Sequence, residues 1–269
     1  MKIRVLHVID HLGYGGAPFV VKNLVERMPS DLVESVVCAL RPNLKPLPID
    51  ATVVTLESKK YSLTPIRLIA GLCRDREIDI VHAHLQKAFL SSLWARPRFA
   101  GRLVLHEHGP IFRGGTGCVY RGFLRGFGSR ADAIIANSRA AATAIAQVIG
   151  PLKIPIAVVP NFLDLERFDP DRYDGERARA SLGLTKARFV VGFVGRLDRP
   201  KGADLLVEAA AKLPCQEKAW SFYLVGDGPQ RRDLQERVRR LGLEGIVTLG
   251  GLHENPAVAL RAFDVVVVP

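Results

Sequence analysis

Phe189-Val190-Val191-Gly192-Phe193-Val194-Gly195-Arg196-Leu197-Asp198-Arg199-Pro200-Lys201-Gly202-Ala203 is the stretch that decides the fold. Phe189–Val194 is an unbroken apolar run, as expected of a strand buried on both faces of a parallel sheet. Gly195–Gly202 reads as a loop, and Ala203–Leu213 returns apolar residues at helical spacing. The same order repeats downstream. Phe222–Val225 is a strand, Gly226-Asp227-Gly228-Pro229 a loop, and Gln230–Leu241 a helix closed by Gly242. Ile246–Leu249 is a strand, Pro256–Ala262 a helix and Phe263–Val268 a fourth strand, and the chain ends at Pro269. Strand–helix alternation of this kind predicts a doubly wound α/β sheet, here four strands of the roughly six in a complete Rossmann unit.

The upstream half follows the same grammar. Its strands are Ile3–Ile9, Val33–Leu40, Thr52–Leu56, Ile78–Val81, Leu103–His106, Ala133–Ala136 and Ile156–Val159. Helical patterns cover Ala17–Met28, Pro65–Arg76, Gln86–Phe99 and Arg139–Ile149, the last with Ser138 as N-cap. Residues 160–180 hold Pro160, Asp169, Pro170, Asp171, Asp174 and Gly175 and read as a linker. The expected domains are therefore 1–165 and 166–269.

The chain has 269 residues, 48% of them hydrophobic, enough for a core in each half. Cys38, Cys73, Cys118 and Cys215 lack CxxC or zinc spacing and read as free thiols in a reducing cytoplasm. The N-terminal apolar run is broken by His7 and ends at Asp10 without a cleavage site, so it reads as a strand rather than a leader. No stretch has the ~18 apolar residues of a membrane span. Net charge is +11, and the excess is upstream: 21 Lys+Arg against 12 Asp+Glu in residues 1–165, 17 against 15 in 166–269. Between Arg96 and Arg130 lie Arg98, Arg102, Arg113, Arg121 and Arg125, with Glu107 as the one acid. Such a face suits anionic lipid or a phosphorylated substrate, or is simply solvated. It lacks the interleaved aromatics of a nucleic-acid platform, and no nucleic acid is expected.

Two loops can carry chemistry. Asp10-His11-Leu12-Gly13-Tyr14-Gly15-Gly16-Ala17-Pro18 joins a strand to a helix, where free N–H groups and the helix dipole favour anions. It is neither a GxGxxG fingerprint nor a Walker loop, and a plain tight turn would read alike. In the second loop, Arg196 offers a planar fork and Lys201 a point charge at a strand end, which suits a departing diphosphate. Two solvated cations are the alternative. His82 with His84, and His106 with His108, have i, i+2 spacing, which turns both members of a pair to one side of a strand. Without clustered carboxylates or an HExxH helix, no catalytic metal is expected, and His106 reads as a packed strand-end residue.

The ordered set resembles retaining glycosyltransferases of family four, which have the two-domain GT-B fold of two Rossmann-like units facing a cleft. Its carriers are Gly13-Tyr14-Gly15-Gly16-Ala17, Asp79-Ile80-Val81-His82-Ala83-His84, His106-Glu107-His108-Gly109, Ala136-Asn137-Ser138 and Val159-Pro160-Asn161. Val194-Gly195-Arg196-Leu197 with Lys201-Gly202, and Leu224-Val225-Gly226-Asp227-Gly228-Pro229, complete it. The resemblance implies transfer of a sugar from a nucleotide-diphosphate sugar to an acceptor hydroxyl with retention, without a metal or other cofactor. It implies that Arg196 and Lys201 hold the diphosphate, that Gly15 and Gly16 close on it, and that His108 faces the reacting sugar. Gly195, Gly226, Gly228 and Asn161 are further donor candidates. Asn161 competes with a turn role, because Phe162 stands where the family has glycine.

The resemblance also implies two glutamates, eight positions apart, just after the strand that ends this chain, and the second unit is expected to be incomplete. A sugar-nucleotide-binding module without turnover and a GT-B-type epimerase are the alternative functions. The expected partners are a nucleotide-sugar donor and a lipid-linked or polysaccharide acceptor. Gly117–Ser129 mixes Val119, Tyr120, Phe123, Leu124 and Phe127 with Arg121 and Arg125, which suits peripheral contact with the inner face of an anionic membrane. Gly122, Gly126 and Gly128 weaken that segment as a helix.

Overall fold

The structure, a computed structural model, describes residues 2–43, 45–56, 63–109, 116–150, 153–184, 189–213 and 220–269, with backbone alone for 116–119. Arg113, Cys215 and the side chains of Cys118 and Val119 lie outside the described residues. The chain forms two compact units, Met1–Phe162 and Leu163–Pro269.

The first unit holds β1 (Ile3–Ile9), α1 (Gly16–Arg27), β2 (Val33–Ala39), β3 (Thr52–Thr55), α2 (Thr64–Asp75), β4 (Ile80–His84) and α3 (Gln86–Ala95). It continues with β5 (Arg102–Glu107), α4 (Thr116–Phe127), β6 (Ala133–Ala136), α5 (Arg139–Ile149) and β7 (Ile156–Val158). The strands pair in parallel in the order β3-β2-β1-β4-β5-β6-β7. Order reverses between β1 and β4, the switch point where doubly wound sheets bind ligands at the carboxyl ends of their strands.

Leu6, Val8, Val81, Leu103 and Leu105 point into one core with Ile69, Phe89, Leu93 and Leu124, while Ile9, Val21 and Val37 fill the other face. Each such side chain contributes on the order of 1.5–3 kcal/mol by leaving water. Cys38 and Cys73 are buried free thiols, and burial pushes each up to about 12. Ser138 caps α5, accepting from Ala141 N at 3.2 Å.

The segment after residue 116 departs from expectation. Its glycines lower helix propensity, yet α4 forms because Tyr120 and Leu124 bury in the core, and tertiary packing outweighs a penalty of about 1 kcal/mol per glycine. Phe123 and Phe127 stack beside the exposed Trp94 on α3, with ring centroids 6.1 and 5.2 Å from the indole. Arg130 lies over the Phe127 ring at 4.8 Å.

The second unit holds α6 (Gly175–Ser181), β8 (Phe189–Val194), α7 (Ala203–Lys212), β9 (Trp220–Val225), α8 (Arg231–Arg240), β10 (Val247–Gly251), α9 (Pro256–Ala262) and β11 (Val265–Val266). Its parallel order, β10-β9-β8-β11, repeats the first unit's reversal, here between β8 and β11. Gly242 closes α8 at φ 65°, its N–H donating to Arg239 O. The stretch read as a linker is largely built into this unit. Asp174 caps α6 through Arg177 N, Arg179 Nε donates to Ala262 O, and Tyr173 Oη donates to Arg167 O. The boundary between the units, Phe162–Leu163, falls inside that stretch, while its polar residues from Asp169 onward are caps and hydrogen-bond partners of the second unit.

Candidate functional site

In the second unit, the loops after β8 and β9 touch at the carboxyl edge. Gly195 N donates to Val225 O at 3.0 Å, Leu197 N to Asp227 O at 3.0 Å, and Gln230 N to Leu197 O at 3.0 Å. Gly226 sits at φ 139°, and a Cβ there would lie 1.8 Å from Gly195 O. A Cβ on Gly228 would meet Leu197 O at 2.4 Å. These glycines therefore let two backbones approach where no side chain fits. Laced together, the loops present Arg196 and Lys201 to solvent. Arg196 Nε lies 3.4 Å from Asp198 Oδ2, and its side chain keeps 58% of its surface exposed. Lys201 ends a single 3₁₀ turn, Arg199–Lys201, before Gly202 caps α7 at φ 67°. Arg196 and Lys201 thus stand beside the N-terminus of α7.

In the first unit, Asp10 at the end of β1 is gripped by Arg41 after β2, with Nε–Oδ1 at 3.1 Å and a second, shorter bond through Nη2. That pair anchors the loop leading to Gly15 and Gly16. Gly15 O accepts from Phe19 N, and Gly16 opens α1 with empty space beside its Cα.

Beside this loop the sheet carries a row of imidazoles. His7 pairs in register with His82, and His84 with His106. His84 Nδ1 lies 2.9 Å from His108 Nε2, and His84 Nε2 lies 3.4 Å from His7 Nδ1. His106 stacks between His82 at 5.3 Å and His108 at 4.1 Å. Burial, reinforced by neighbouring rings, drives His7 down to about 4 and His108 to about 3; burial alone takes His106 to about 4. His82 and His84 fall well below the ordinary range for the same reasons. All five rings are thus neutral at pH 7. Glu107, on the opposite side of β5, is pushed up to about 8 by burial, although Gly109 N donates to its Oε1. Asn137 Nδ2 donates to His108 O at 3.1 Å and fixes the backbone there.

The sequence pattern of Glycosyltransferase Family 4 matches residues 14–167, and that of Glycosyl transferases group 1 matches residues 188–269. The chain belongs to glycosyltransferase family 4. This family 4 chain is similar to the glycosyltransferase EpsF of Bacillus subtilis, 27% identical over 99% of the chain and 73% of EpsF. It is 35% identical to a 2-deoxystreptamine glucosyltransferase of Streptomyces kanamyceticus over 52% of the chain and 37% of that protein. Among solved structures, Anabaena HepE in complex with UDP and glucose superposes with a TM-score of 0.79 at 23% identity, covering 98% of this chain and 73% of HepE. Sucrose-phosphate synthase of Thermosynechococcus elongatus gives 0.82 at 18%, covering all of this chain and 75% of that one. The two Rossmann-like units are those of the GT-B fold.

Within the family 4 chain, Gly195, Arg196, Lys201, Gly226 and Gly228 come together in the second unit. Gly15, Gly16 and His108 lie at the carboxyl edge of the first, near its switch point. Asn161 is exposed in the extended segment after β7. Three residues escaped the sequence reading. His7 joins the imidazole row through strand register, which no local pattern reveals. Arg231 opens α8 and donates to Leu249 O at 3.2 Å and Gly226 O at 3.5 Å, bracing the β9 loop. Leu85 follows His84 at φ 71°, ψ 164°, a conformation that costs a leucine roughly 1–3 kcal/mol. Its side chain packs against the Ile9 core.

Proposed function

We propose that this chain belongs to a retaining glycosyltransferase that takes a nucleoside-diphosphate sugar as donor. The carrying observation is the exposed Arg196–Lys201 pair on a loop braced by backbone contacts, beside the strand where the second sheet reverses order. HepE, crystallised with UDP and with UDP-glucose, makes UDP the first ligand to test. Arg196 and Lys201 meet the charge that grows on the diphosphate as the glycosidic bond breaks, the task a metal performs elsewhere. Their fixed positions favour the transition state over the ground state. His108 acts toward the sugar, and Gly15 and Gly16 toward the phosphates. Transfer to an acceptor hydroxyl proceeds on the face the leaving group departs from, through an oxocarbenium-like state.

Calorimetric titration with UDP tests the donor assignment: Arg196→Ala and Lys201→Ala each weaken binding about 10-fold or more, the worth of one charge-assisted contact. Unchanged affinity in both refutes it. The anomeric proton of the product, followed by NMR, tests retention. The Trp94, Phe123 and Phe127 cluster, with Arg98, Arg121, Arg125 and Arg130 nearby in sequence, supports a second partner, an anionic membrane surface. Among the described residues no helix is long and apolar enough to cross a membrane.

A further inference from the structure

We propose that His84, His106 and His108 form a binding site for a borderline-soft divalent ion of the zinc class, with His7 orienting His84. The proposal goes beyond the donor reading and does not rest on it; an ion on His108 occupies the ring that the donor reading turns toward the sugar, so ion and sugar compete for that residue.

The geometry supplies the ligands. Among the described residues, two overlapping triplets, His7–His82–His84 and His84–His106–His108, each bring three ring nitrogens within 4.8 Å of one another. The second includes His108, which is partly exposed and provides a way in, whereas His7, His82 and His84 are buried. Two imidazoles on zinc, each with N at about 2.0 Å, stand roughly 3.3 Å apart. The 2.9 Å between His84 Nδ1 and His108 Nε2 opens by a few tenths of an ångström to reach that, and the His106 ring, stacked 4.1 Å from His108 and 5.3 Å from His84, rotates off the stack to bring in the third nitrogen.

Hydrogen bonding points the same way. Both ring nitrogens of His106, Nδ1 of His108 and Nε2 of His7 and His82 are buried without a partner. Each orphan costs on the order of 1–3 kcal/mol; of these a His106 nitrogen is the one that would face the ion, and its lone pair given to the ion recovers part of that cost. His7 Nδ1 faces His84 Nε2 at 3.4 Å. When His84 carries its proton on Nε2 and donates it to His7, its Nδ1 lone pair turns toward His108. This is the outer-shell bond that metal-ligating histidines use to fix their tautomer. His108 then keeps its proton on Nδ1 and offers Nε2. All three rings stay neutral, so binding releases no proton from them.

Donor chemistry names the ion. Three imidazoles without thiolate or carboxylate suit Zn²⁺, Ni²⁺ or Cu²⁺ and disfavour Mg²⁺ or Ca²⁺. Glu107, one residue from two of the ligands, is turned away by strand alternation and bonded to Gly109 N. Three protein ligands leave a position for water or an anion.

The test uses the untagged full chain. Zn²⁺ is titrated against a chromogenic chelator, and the chelator-treated protein is reloaded with Co²⁺. One equivalent of Zn²⁺ is expected, together with visible Co²⁺ bands of a nitrogen-ligated low-coordinate site. His106→Ala and His84→Ala should weaken Zn²⁺ binding at least ~100-fold, His7→Phe about 10-fold with stoichiometry intact. His253→Ala, outside the cluster, should bind as wild type. Wild-type protein that retains no Zn²⁺, or a folded His106→Ala that binds it equally well, overturns the site. Should the alanine variants fail to fold, the wild-type Co²⁺ spectrum decides: featureless or octahedral bands overturn the proposal.

Discussion

Replacing Gly226 by alanine places a methyl group 1.8 Å from Gly195 O and 2.9 Å from Gly195 C, at a backbone φ of 139°. The conformation alone costs an L-residue about 1–3 kcal/mol. The clash adds more, because the obstacle is backbone and cannot swing aside. The loops after β8 and β9 must separate by more than 1 Å, which breaks Leu197 N–Asp227 O and strains Gly195 N–Val225 O and Gly226 N–Gly251 O. At about 1 kcal/mol net for the broken bond and as much again for the two strained ones, the total comes to roughly 3–5 kcal/mol. For a unit of about 100 residues this lowers Tm by on the order of 15 °C or more. Gly242 supplies the control. Its φ is 65°, and nothing lies within 4 Å of its missing Cβ, so Gly242→Ala carries conformational strain alone, about 1 kcal/mol. Differential scanning calorimetry of the two variants separates strain from clash. Equal Tm shifts in Gly226→Ala and Gly242→Ala would refute the argument that close backbone approach is what requires glycine in this loop.

The imidazole row makes the chelator-treated first unit acid-sensitive. Folded values near 4 for His7 and His106 and near 3 for His108 lie below the unfolded value of about 6.5, so their contribution is complete above pH 6.5 and shrinks as pH falls toward 4. Glu107, raised to about 8, acts oppositely, its contribution fading as pH rises through 8, but one carboxyl faces five rings. Melts in chelator at pH 7.5 and 5.5 check the sum, and a flat or rising Tm on acidification contradicts it. Arg231→Ala frees the Leu249 and Gly226 carbonyls and should lower second-unit stability by about 1–2 kcal/mol, with Arg231→Lys recovering only part; equal stability of all three in urea denaturation argues against the brace. Trp94→Ala should reduce flotation with anionic vesicles and leave neutral vesicles unaffected; flotation that ignores the substitution removes the aromatic cluster from the membrane contact.

Much of this protein was legible without coordinates. Continuously apolar runs such as Phe189–Val194 and Ile3–Ile9 define buried parallel strands, because only a strand covered on both faces omits polar alternation. Local chemistry also marked Ser138 as a cap and Gly242 as a helix stop, and it placed Arg196 and Lys201 on the loop after β8. Helix α4 was hidden, because Gly117, Gly122 and Gly126 argue against it locally while the burial of Tyr120 and Leu124 depends on distant residues. The polar run from Asp169 to Gly175 misled in the opposite sense, since capping residues and linker residues have the same composition.

Strand register, a property of pairs of segments, decided the rest. Spacing alone shows that His82 and His84 share a side, as do His106 and His108. Only the parallel pairing of β1, β4 and β5 brings those two sides and His7 into one row of buried neutral rings. Likewise Gly195, Gly226 and Gly228 read from sequence as loop residues and donor candidates, and only the structure shows that two loops 31 positions apart meet at Gly195 O and Gly226. Such contacts arise from the closing of the sheet. The sequence by itself therefore determined the strands, the helix ends and the cations, and the tertiary structure decided which of them became neighbours.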